Sequence, residues 1–207
     1  MGKSRLLGDA GAAAMKRVET IFILLLMAVL SACASLPRPG LTSDSLSPAE
    51  HVTLGDSYLS HGEKSAAIQQ YQMAIAKDRH DVPALIALGN MSFEDHDLKN
   101  ARTYFKRACQ AAPQDAGAIN NLAMVDLKEG KHLDRARRRI EQALLNAGSL
   151  APYLLDTLAN IEMEQGHYPD AKLSLEKAEA AAPEDDLEFM KVIHESREKL
   201  AKQQYQR

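Results

Sequence analysis

The sequence predicts an all-α chain of helical hairpins stacked in series. Three observations point there. Small and large residues recur every 34 residues through most of the chain. The composition leans on Ala, Leu, Glu, Lys and Gln, which form helices readily. Near its C-terminus the chain carries one further apolar stripe at helical spacing. At 207 residues, 45% hydrophobic and 26% charged, it has enough apolar material for one core, and 11 Gly with 8 Pro exclude a low-complexity chain. Two cysteines leave no disulfide framework and no CxxC-type zinc or redox site. The net charge is -3; outside residues 1–32 the balance is 21 basic against 26 acidic residues. Such a chain lacks the basic footprint of a nucleic-acid binder.

Residues 1–32 read as an export signal, with Met15 the expected start. Lys16 and Arg17 precede an unbroken apolar run over 21–30, followed by the small residues Ser31 and Ala32. A spanning helix is the alternative. The run reaches 16 residues at most before Pro37, short of the roughly 18–20 that a span needs. Leu30-Ser31-Ala32-Cys33 resembles the lipobox of bacterial lipoproteins. The resemblance implies cleavage before Cys33, acylation of its thiol and new amino group, and anchoring by several acyl chains, with no other cofactor. Ala34 stands where proteobacterial lipoproteins retained at the inner membrane carry Asp, so the resemblance implies the outer membrane, facing the periplasm. Residues 33–47 are then the lipidated cysteine and a tether held extended by Pro37 and Pro39.

The repeat occupies 48–185, in units 48–81, 82–115, 116–151 and 152–185. Ser47, Pro48 and Glu50 form a capping box with Pro at the first helical position, a strong helix start. Gly55, Gly89, Ala123 and Ala159 are the small residues of the first helices. Ala67, Ala101, Ala136 and Ala171 are those of the second helices, and Tyr71, Phe105, Ile140 and Leu175 are the large ones. Gly62, Gly130 and Gly166 fall where first helices should end. The third unit carries two extra residues, one near 131–132 and one near 148–150. Residues 186–207 are expected to be a capping helix and tail, with Leu187, Met190, Ile193, Arg197 and Leu200 on one stripe.

This pattern resembles the tetratricopeptide (TPR) family, whose 34-residue signature sets Leu-Gly, Tyr, Ala, an aromatic and Pro at fixed offsets. The sequence departs from it by lacking the first-helix Trp, and Tyr58 becomes Ser92, Asp126 and Glu162 in later units. The resemblance implies a right-handed α-solenoid whose first helices line a concave groove. The groove positions are Val52, Asp56 and Leu59; Ile86, Asn90 and Phe93; Asn120, Met124 and Leu127; and Asp156, Asn160 and Met163. Amides among apolar side chains suit the backbone of an extended peptide. The Lys and Arg with which one TPR subtype clamps a C-terminal carboxylate are missing.

Other chemistry finds little footing. No GxSxG, HExxH or glycine-rich phosphate loop occurs, so no enzyme and no small-molecule substrate is expected. His61, His96, His132 and His167 recur one per unit, too far apart to share a metal ion. Arg135, Arg137, Arg138 and Arg139, with Arg102, Lys106 and Arg107 one unit earlier, read as a solvated basic face paired with nearby acids, the alternative being a patch for lipid head groups or an acidic partner. Cys109 reads as a small half-buried hydrophobe. The reading is therefore a lipid-anchored adaptor that binds a partner polypeptide in the groove. It resembles the outer-membrane TPR lipoproteins of pilus biogenesis; a scaffold for peptidoglycan hydrolases or an exported peptidase is the alternative.

Overall fold

The computed structural model describes residues 44–183 and 185–205. The expected signal, Cys33 and most of the expected tether lie outside the described residues. Among the described residues there are nine α-helices: α1 Pro48–Ser60, α2 Lys64–Lys77, α3 Val82–Glu94, α4 Leu98–Ala111, α5 Ala116–Glu129, α6 Leu133–Ala143, α7 Ala151–Glu164, α8 Tyr168–Ala181 and α9 Leu187–Tyr205. They form an α-solenoid of four hairpins, α1/α2 to α7/α8, with α9 packed on α7 and α8. The first helices α3, α5, α7 and α9 lie side by side, while successive second helices barely touch. The first helices therefore line the inner side.

Local chemistry sets the helix ends. Ser47 and Glu50 form the expected capping box, with the Ser47 N–H donating to Glu50 Oε2 at 2.7 Å, and this bond holds the Glu50 carboxyl below its ordinary pKa. Asp81, Asp97 and Asp115 accept from the N–H groups of Ala84, Asn100 and Ala118 at the starts of α3, α4 and α5. First helices end in a left-handed residue: Gly62 (φ 77°), Gly130 (φ 63°) and Gly166 (φ 77°). In the second unit the equivalent residue is His96 (φ 60°), which has a Cβ to accommodate there. The two extra residues of the third unit are absorbed in its turns. His132 adds a second left-handed residue (φ 58°) before α6, and 3₁₀ turns at Leu144–Asn146 and Gly148–Leu150 follow it.

Packing explains the small and large positions. A methyl group on Gly55 would lie 2.6 Å from the Tyr71 ring, and one on Gly89 closer still to Phe105. In the later units Ala123 shares a core with Ile140, and Ala159 with Leu175. A larger residue on the first helix thus goes with a slimmer one on the second. The α9 stripe differs from expectation. Phe189, Ile193, Ser196 and Leu200 are buried, while Leu187 is 70% exposed and Arg197 reaches Glu179 at the surface. The sequence stripe was drawn through Leu187, but the helix begins there, ahead of the surface it covers.

Candidate functional site

Part of the predicted groove set borders two adjoining hollows. Asn90 and Phe93 of α3 and Met124 of α5 border one hollow of about 150 Å³ with Asn121. Phe93, Met124 and Leu127 continue into a second of about 540 Å³ that ends against Glu164 and Lys199. Asn121 Nδ2 donates to Asn90 Oδ1 at 3.0 Å, fixing the Asn90 amide while leaving the residue exposed. Leu59 is 44% exposed on α1. Asp56 is exposed and accepts the Tyr71 hydroxyl at 2.7 Å; burial of that hydroxyl, then this bond, raise the phenol pKa.

The remaining predicted residues are engaged elsewhere. Val52 packs on the core of the first junction and Ile86 on that of the second. Asn120 is half-buried, its amide nitrogen 3.7 Å from Met124 Sδ. The fourth unit's set is turned to α9. Met163 is 2% exposed and shares a core with α9. Asn160 Nδ2 donates to Ser196 Oγ at 3.2 Å, Ser196 Oγ donates to Asp156 Oδ1 at 2.6 Å, and Lys199 Nζ reaches Asn160 Oδ1 at 3.3 Å. Burial raises the Asp156 pKa, with Ser196 and Lys199 opposing it. Helix α9 packs on α7 and α8, so these groups join it to α7. The open groove is that of units one to three, centred on Asn90, Phe93, Met124 and Leu127.

Sequence reasoning missed a second polar system, between units. Arg102 of α4 forks to Asp126 at 2.5 Å and Glu129 at 2.9 Å on α5. One unit later Arg137 of α6 lies 3.5 Å from Glu162 on α7 and bonds Glu141 at 3.0 Å. Asp126 and Glu162 are 1% and 3% exposed. Burial raises the Glu162 pKa, and the Ser174 hydroxyl and Arg137 oppose it. The signal was present: Ser92, Asp126 and Glu162 replace Tyr58, and Ile68, Arg102 and Arg137 stand one residue after the small Ala of each preceding second helix. An acid appears where the previous unit offers an Arg. The basic run thus divides, with Arg102 and Arg137 turned to acids, while Lys106, Arg135, Arg138 and Arg139 have no acidic partner among the described residues.

Other candidates are placed as follows. The turn histidines sit one per hairpin, His61 Nδ1 lying 2.7 Å from the Ser57 carbonyl. Among the described residues no group of His, Cys, Asp and Glu converges to hold a metal, and no helix is long and apolar enough to cross a membrane. Cys109 is half-buried, and burial pushes its thiol up to about 11.

Residues 52–116 match the tetratricopeptide repeat. The match covers most of units one and two, where glycine faces an aromatic ring, and stops where unit three turns to alanine and isoleucine. No curated protein matches the chain in sequence. Solved TPR-type structures share the fold. A tetratricopeptide repeat protein from Parabacteroides merdae is 16% identical with a TM-score of 0.65, over 79% of this chain and 61% of that one. The APC/C hetero-tetramer Cut9-Hcn1 is 18% identical with a TM-score of 0.60, over 73% and 30%. Pseudomonas aeruginosa pilF is 22% identical with a TM-score of 0.58, over 79% and 76%. The chain therefore spans 61% and 30% of the first two of these, less than two thirds of either.

Proposed function

We propose that this chain is a membrane-anchored adaptor that holds an extended segment of a partner polypeptide in the groove of units one to three. The groove itself carries the reading: Phe93, Met124 and Leu127 offer apolar contact beside the exposed amide of Asn90, so side chains and backbone of one strand can be met together. The TPR match and the likeness to TPR-type structures support a protein-interaction role. The lipobox-like Cys33 supports attachment to an envelope membrane, facing the periplasm. There the anchor raises the local concentration of whatever the groove holds. The likeness to pilF, added to the lipobox and tether, favours assembly of a pilus or secretion apparatus as the task.

Crosslinking from a photoreactive residue at position 93 in the native host, followed by identification of the partner peptide, tests the groove. Phe93→Ala with Met124→Ala should lower recovery of that partner at least tenfold. Undiminished recovery would place the interaction elsewhere. Cys33→Ala should abolish lipid labelling and release the chain from the membrane; full membrane retention would return the 21–30 run to a spanning role.

A further inference from the structure

A recess outside the groove lies between the second helices α4 and α6. It is a cleft of about 410 Å³ that shares no side chain with the groove. Ile119 and Leu122 of α5 line it together with Cys109 and the 79%-exposed Leu145, and Lys106 and Arg139 border it. Its cause lies in the repeat register. One junction earlier, Ile75 and Tyr104 pack against the core between units one and two. At the next junction Tyr104 is matched by Arg139 of unit three, and Ile75 by Cys109 of unit two. Two bulky plugs are replaced by a thin thiol and a cation, and the short helix α6 ends in 3₁₀ turns that leave Leu145 at the border.

We propose that this cleft is a second peptide-binding site, taking a partner segment in which an apolar side chain is flanked by carboxylates. Charge supports the occupant, because Lys106 and Arg139 have no acidic partner among the described residues. Asp115, an acid whose charge acts on the thiol, is already turned to the Ala118 N–H at 2.7 Å. Gln110, Gln114, Gln142 and Asn146 around the border supply the donors and acceptors that a peptide backbone needs. The volume suits about one or two large side chains, within the range of small-ligand clefts.

The test pans a phage-displayed random dodecapeptide library against the full chain in detergent. Enriched peptides are then measured by fluorescence polarisation on three variants. Arg139→Glu with Leu145→Glu reverses the cleft's charge and removes its apolar lip. Cys109→Ile with Arg139→Tyr refills it as at the first junction, and circular dichroism checks that each variant is folded. Phe93→Ala alters only the groove. The proposal requires an acidic-apolar class that loses at least tenfold affinity on both cleft variants and none on Phe93→Ala. It is overturned if no enriched class responds to the cleft variants, or if the responsive class lacks acids. Vesicles of phosphatidylethanolamine and phosphatidylglycerol form a parallel arm; binding to them that depends on Arg139, with no peptide class, would assign the cleft to lipid instead.

Discussion

The first junction of the solenoid and the two that follow solve one packing problem with different chemistry. Between units one and two the buried contact is apolar: Ile68 and Ile75 of α2 and Tyr104 of α4 pack on a shared core, and the Ser92 hydroxyl donates to the Leu88 carbonyl of its own helix. An ion pair that crosses this junction, Lys64 with Asp95 at 2.5 Å, lies at the exposed rim. Between units two and three, and three and four, an arginine crosses to a buried acid. The backbone geometry is alike, so the register fixes where neighbours meet and leaves open what meets there. The apolar solution tolerates the loss of a contact, whereas the ionic one leaves a charge stranded when one partner goes.

That difference predicts the largest effect. Arg102→Ala should destabilise the chain by about 3 kcal/mol, because Asp126 stays buried without a counter-charge. Ile68→Ala, half-buried at the matching position, should cost less. Urea unfolding of both variants measures this, and a loss under about 1 kcal/mol for Arg102→Ala would reduce the pair to a surface salt bridge. Next in size, Gly89→Ala should cost about 1–3 kcal/mol by driving a methyl into the Phe105 ring. Adding Phe105→Ile, which copies the pairing of Ala123 with Ile140, should recover part of that loss. If it recovers none, the two halves of the array are not interchangeable in size.

The smallest effect depends on pH. Burial holds the Glu162 pKa above its ordinary value, so the folded chain binds that proton more readily than the unfolded one. The resulting stability is fully present below the unfolded carboxylate range and is lost as pH rises through the raised value. Glu162→Gln lacks this dependence. Its stability relative to wild type should therefore improve from the carboxylate range up to neutrality in urea melts; a flat difference would mean that Arg137 fully offsets the burial.

The hairpins were legible in the sequence because close helix contact demands small residues, and Gly55, Gly89, Ala123 and Ala159 return at nearly constant spacing. The residues Asn90, Phe93, Met124 and Leu127 could be placed by the same register. Asp156, Asn160 and Met163 could not, since their fate depends on how α9 docks, and its buried stripe is set by Phe189 and Ser196 rather than Leu187. The arginine bridges were legible only by reading two positions about 24 residues apart as partners across a junction, a relation that a single 34-residue signature does not contain.

Helix α9 covers the apolar end of the fourth hairpin, and its outward face pairs Lys191 with Glu188 and sets His194 and Lys202 beside Glu198. A last apolar face covered in this way leaves the joint ahead of α9 as a place where a further hairpin could be received. A designer who wishes to extend the binding surface should splice an extra module between α8 and α9, keeping the polar seam of Asp156 and Ser196 at the new joint.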